Sequence, residues 1–142
     1  MASLNPFQGA LGQRRAAHLL RRASFRYTRV KVDELAGLTA AEALASLLVL
    51  NPLQLDQPVY ADTPGATPAT WINPPQPSDA TLPGDENTLS EYVKAWWVNE
   101  ALHDPGAAHR MSFFFHQFLA ATPDAGSSME FFDYLMLLRW GC

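Results

Sequence analysis

Cysteine is nearly absent: Cys142 is the single thiol among 142 residues, so no internal disulfide can staple the chain. Long apolar runs are missing too. No charge-free stretch reaches the roughly 18 residues needed to span a bilayer, and residues 1 to 30 hold no apolar core of a secretory signal. These absences set an expectation of no membrane partner and, by default, a cytoplasmic address. Strand-like alternation is lacking throughout, which argues against a sheet. Among short chemical motifs there is no glycine-rich phosphate loop, no Gly-x-Ser-x-Gly elbow, no Cys-x-x-Cys and no His-Glu-x-x-His. Acidic residues are missing before Asp33, whereas seven of the ten cations fall there: Arg14, Arg15, Arg21, Arg22, Arg26, Arg29 and Lys31.

What remains is globular in character, with 48% hydrophobic and 17% charged residues in a length suited to one domain. Residues 1–31 carry a charge of +7 and the other 111 carry −11, so the basic segment can dock against acids of its own chain. Nucleic-acid association through Arg14 to Lys31 is the alternative use of that charge, without a recognised binding motif to support it.

The apolar periodicity predicts helices in two groups. In 10–23, Arg14, Arg15, His18, Arg21 and Arg22 fall on one side while Ala16, Leu19, Leu20 and Ala23 fall on the other. Thr28 caps a short helix ended by Gly37, and Thr39 with Glu42 forms a capping box for a helix over 40–50. Eight of the eleven prolines then lie in 51–87, which excludes helix interiors and predicts an irregular arm pinned by Trp71 and Tyr60. Thr88 with Glu91 predicts a helix start running to His103, followed by a helix over 107–121. Ser127 with Glu130 opens a last helix over 129–140. The fold class is therefore mainly α: about six helices in a single region, with basic N-terminal helices in 1–50, a proline-rich arm in 51–87 and aromatic-rich helices in 88–142.

The last helix, with Phe131, Phe132, Tyr134, Leu135, Met136, Leu137, Leu138 and Trp140, is apolar almost all round, the pattern of a helix buried on every side. It implies a fragment of a larger helical domain, its far face covered by the remainder of its own chain or another subunit.

Three residues are candidates for chemistry. On the helix ending at His103, Glu100 and His103 sit one turn apart on the apolar face with Leu89, Tyr92, Val93 and Trp96. A buried carboxylate needs a partner. An arginine of the first helix, or His103 itself, would make a structural link. Glu-x-x-His is also the spacing of helical carboxylate metal sites, though only one copy is present, so Glu100 and His103 are weak metal candidates. A general acid or base role for Glu100 is the third option. His116 is the remaining candidate, at the edge of an aromatic run. On that helix His109, Ser112 and His116 share one side, and Met111, Phe114, Phe115 and Phe118 are expected to form core on the other.

Through His18–Phe25, Trp96-Trp97 and Met111–Thr122, the chain resembles, over essentially its whole length, a bacterial family called domain of unknown function 1800. His18-Leu-Leu-Arg-Arg-Ala-Ser-Phe25 is similar to the family's opening His-Leu-Leu-Arg-Arg-Ala-Gly-Phe, and Trp96-Trp97 also matches. Phe114-Phe115-His116-Gln117-Phe118-Leu119 stands where members often show Phe-Trp-His-Asn-His-Phe, so the first histidine matches and the second is Phe118. The resemblance implies a largely helical protein of several hundred residues, of which this chain is roughly the N-terminal third, with many relatives exported. It implies no reaction and names no cofactor. The leading functional expectation is a helical scaffold or binding module. An enzyme, in a metal-assisted form or not, with its site completed by residues beyond 142, is the alternative.

Overall fold

The computed structural model describes residues 7–48, 55–60, 68–72, 85–119 and 126–141. Six helices are present among them: α1 (Gly12–Ala23), α2 (Arg29–Ala36), α3 (Ala40–Leu47), α4 (Glu86–His103), α5 (Ala108–His116) and α6 (Ser128–Trp140). The fold is mainly α, and no strand or sheet occurs among the described residues. Two isolated antiparallel bridges, Ala10 with Thr39 and Tyr60 with Ala69, are the extended pairings. No helix among the described residues is long and apolar enough to cross a membrane.

The chain divides into two compact units, one comprising Met1–Asn51 with Ala101–Met111, the other Pro52–Glu100 with Ser112–Cys142. The division falls inside α4 and α5, not between the two predicted groups of three.

In the first unit, Ala16 and Leu20 of α1 pack with Val32 and Leu35 of α2 and Ala43 and Leu47 of α3. Each buried leucine there contributes roughly 1.5–3 kcal/mol by leaving water. The helix starts follow local chemistry. The Thr28 hydroxyl accepts from the Lys31 N–H at 3.2 Å, and Gly37 caps the other end of α2. At α3 the predicted box is complete: Thr39 Oγ1 accepts from the Glu42 N–H, and the Thr39 N–H donates to Glu42 Oε2 at 2.9 Å. That backbone bond, with a second from the Thr39 hydroxyl, holds the Glu42 carboxyl below its usual pKa. α1 lacks a side-chain cap, and Gly12 takes φ 66°, a left-handed conformation that favours glycine. Residues 49 and 50 of the third predicted helix lie outside the described residues.

The second unit is built on aromatic packing. Trp71, Ile72, Leu89, Val93, Phe132 and Leu135 form its core. The Trp71 indole N–H donates to Ser128 Oγ at 2.9 Å, and Tyr60 meets Tyr92 edge-on with ring centroids 5.1 Å apart. Tyr60 and Ala69 exchange both backbone hydrogen bonds. The rest of the predicted arm, residues 51–54, 61–67 and 73–84, lies outside the described residues, as do 120–125; the fifth predicted helix, over 107–121, is shorter than expected and ends at His116.

Two local expectations need correction. α4 begins at Glu86, and Thr88 lies inside it, because Asp85 takes the capping role. Its carboxylate accepts from the Asn87 N–H at 3.1 Å and the Thr88 hydroxyl at 2.8 Å, and its carbonyl accepts from the Leu89 N–H. The last helix does start as predicted, with the Ser127 and Glu130 box complete. It is not buried on every side, however: Phe132, Leu135, Leu138 and Arg139 are buried while Leu137 and Trp140 are 71% and 66% exposed.

Candidate functional site

α4 carries Glu100 and His103, but the two open into different hollows. Glu100, half-buried, lines an open groove of the second unit with Asp56, Tyr92, Trp96 and Asn99. The Trp96 indole is fixed there by donating to the Asp56 carbonyl at 2.7 Å. Glu100 makes no hydrogen bond or ion pair among the described residues, so the expected link to His103 is not formed there. His103 is exposed and lines a hollow of about 350 Å³ in the first unit with Tyr27, Lys31, Asp104 and Pro105. The premise of a buried acid and imidazole side by side fails for a physical reason. Leu89, Val93 and Ala101 of α4 are buried, whereas its last two residues, Leu102 and His103, are exposed, so the apolar stripe does not reach His103. Among the described residues no group of three or more His, Cys, Asp or Glu side chains is placed to hold a metal ion.

α5 reverses the predicted polarity. His109 and Ser112, expected on the polar side, are 1% and 0% exposed, while of the expected core residues Met111, Phe114 and Phe118 are exposed and Phe115 is half-buried. Asp104 explains how an imidazole takes the inward position. Its Oδ2 accepts from the His109 N–H and lies 2.9 Å from His109 Nδ1, and its Oδ1 accepts from the Gly106 N–H at 2.8 Å. Burial pushes the Asp104 carboxyl up. The bonds from the His109 ring, the His109 N–H and the Gly106 N–H outweigh that effect, with a smaller charge attraction to the ring, and hold it at about 2. The Ala107 N–H also donates to the Leu47 carbonyl at 3.0 Å, which ties this turn to the end of α3. The motif was missed in the sequence, although Asp104-Pro105-Gly106 followed by a histidine within the first turn of a helix was a usable signal.

His116 is half-buried, with Nδ1 2.9 Å from Tyr134 Oη. The Tyr134 hydroxyl donates to the Leu119 carbonyl at 2.8 Å. A hydroxyl has one proton, so Nδ1–H must donate to the Tyr134 oxygen, and the neutral ring carries its lone pair on Nε2. Tyr134 therefore positions the candidate histidine and fastens the C-terminal end of α5 to α6. Nothing in the sequence linked these residues, because they are 18 positions apart on different helices.

The basic segment forms its own neighbourhood in the first unit. Arg29 pairs with Asp33 at 3.2 Å and Lys31 with Glu34 at 3.1 Å, while Arg21 Nε donates to Tyr27 Oη. The Arg15 guanidinium lies 4.1 Å from the centre of the Phe7 ring, and that of Arg110 lies 4.8 Å from that of Phe25. In the second unit, the exposed Phe114 packs on Phe118, ring centroids 4.9 Å apart, and on Phe115 at 5.5 Å.

No family model, no curated protein and no solved structure matches the chain.

Proposed function

We propose that this chain is a helical binding module that docks a further polypeptide surface on the uncovered apolar side chains of α5, its following turn and α6. One observation carries the reading. Phe114, Phe118, Leu119, Leu137 and Trp140 of the second unit are between 49% and 71% exposed. Apolar residues scattered singly on a surface are ordinary, but Phe114, Phe115 and Phe118 are a contiguous aromatic group, the composition of a protein contact. The docking surface is either further residues of a longer chain or another subunit. The resemblance to the family of unknown function, strongest at His18–Phe25, supports a larger helical body and supplies no reaction.

The test is oxidative footprinting read by mass spectrometry, on the chain at rising concentration and on a form extended at its C-terminus by its natural reading frame. Phe118, Leu137 and Trp140 should become protected in one of these forms, and Phe118→Glu with Leu137→Glu should abolish that protection. Labelling that stays at the exposed level in both forms removes the proposal.

An enzyme is the second reading, supported by the His116 ring, whose Nδ1–H is engaged by Tyr134 so that its neutral form presents the lone pair on Nε2, as a general base requires. Glu100 and His103 would contribute separately, since they open into different hollows. If His116→Ala and Glu100→Gln leave every ligand or metal affinity of the extended chain unchanged, this reading falls.

A further inference from the structure

The first unit is charged in a way that its own structure does not neutralise. Its residues, 1–51 and 101–111, hold eight arginines and lysines against four acids. All four acids are engaged: Asp33 with Arg29 and Gln13, Glu34 with Lys31, Glu42 with Thr39 in the α3 cap, and Asp104 with His109. Arg14, Arg15, Arg21 and Arg22 are left on the outer side of α1, all exposed, around an open hollow with no acid among the described residues that line it. The floor of that hollow is apolar. Leu19 is half-buried there, and Leu44 of α3 is 47% exposed.

We infer that this hollow is a docking site for an acidic amphipathic helix of a partner protein, a site independent of the apolar faces of the second unit. Charge and floor together select the occupant. The two arginine pairs are seven residues apart on α1, two turns or about 10.5 Å along the axis, which matches carboxylates two turns apart on a helix lying beside it. A leucine-bearing stripe on the same partner helix would cover Leu44 and Leu19, the groove mode of helix recognition. A nucleic-acid backbone satisfies guanidinium groups but leaves that floor wet. A bilayer needs an apolar helix face to insert, and Ala16 and Leu20 of α1 are instead buried in the unit's core.

The experiment uses fluorescence anisotropy on the whole chain with four labelled probes. These are a peptide of about 18 residues with glutamates at i and i+7 and leucines on the adjoining stripe, a leucine-free glutamate peptide of the same length, single-stranded DNA of about 20 nucleotides, and phosphatidylserine vesicles. The amphipathic peptide should bind at least about tenfold more tightly than each of the others, and more weakly as salt rises. Arg14→Glu with Arg21→Glu should weaken it at least about tenfold, and so should Leu44→Glu alone. Unchanged far-ultraviolet circular dichroism would show that the variants keep their helices, as exposed positions should. The inference is overturned if the glutamate peptide, DNA or vesicles bind as tightly as the amphipathic peptide, if Leu44→Glu has no effect, or if the amphipathic peptide does not bind.

Discussion

Replacing Asp104 by alanine tests the account of α5 most directly. The carboxylate accepts three contacts, from the Gly106 N–H, the His109 N–H and the His109 ring, all at 2.8 to 2.9 Å. A hydrogen bond to a charged group contributes about 1.5–3 kcal/mol, and bonds sharing one acceptor add less than their sum. The His109 ring is 1% exposed, so its Nδ1 would lose its acceptor without gaining water. Together these give a loss of about 3 kcal/mol for Asp104→Ala, or about 10 °C in melting temperature for a chain of this size. Asp104→Asn keeps an acceptor and loses the charge, so it should cost about 1–2 kcal/mol after allowance for solvent screening. The pH dependence has a definite sign. A carboxyl lowered from 3.8 to about 2 stabilises the fold fully above its unfolded value and loses that contribution as pH falls through the folded one. The parent should therefore converge on Asp104→Asn between about pH 4 and pH 2. Guanidinium unfolding followed by circular dichroism measures the global effect, and hydrogen exchange at the Gly106 and His109 amides measures the local one. An Asp104→Ala variant within about 0.5 kcal/mol of the parent, or a gap to Asp104→Asn that persists unchanged to pH 2, would refute the reasoning.

Two further outcomes follow from buried hydrogen bonds. Trp71→Phe keeps a six-membered aromatic ring but removes the pyrrole N–H, which strips the fully buried Ser128 hydroxyl of its donor and leaves a small gap, and should cost about 2–3 kcal/mol in thermal or denaturant unfolding. Adding Ser128→Ala should cost little more, because the orphaned hydroxyl is then gone; full additivity of the two changes would contradict the contact. Tyr134→Phe removes the acceptor that selects the His116 Nδ1–H form, so nitrogen chemical shifts should report a shift of the ring toward the Nε2–H tautomer. An unchanged tautomer ratio would mean that Tyr134 does not orient the ring.

The legible parts of the fold were those written within four residues of one another. Thr28 with Lys31, Thr39 with Glu42, and Ser127 with Glu130 mark helix starts by contacts between near neighbours, so composition and spacing sufficed. The same rule misplaced the start of α4 only because two cap-forming residues, Asp85 and Thr88, compete there, and the aspartate captures both the Asn87 N–H and the Thr88 hydroxyl. Of the candidate site, Glu100, His103 and His116 were recognisable as chemically able side chains. Their surroundings were not. Glu100 and His103 line different hollows, which spacing along α4 does not reveal, and the partner of His116 comes from another helix.

Residue order alone determined that this chain is helical, where most of its helices start, and that its cations crowd α1 and α2, because these properties depend on neighbours along the backbone. The tertiary structure decided which side of α5 turns inward. Hydrophobicity favours the phenylalanines, but the interior accepts His109 once Asp104 engages its backbone N–H and its Nδ1, and the rings of Phe114 and Phe118 are left facing solvent.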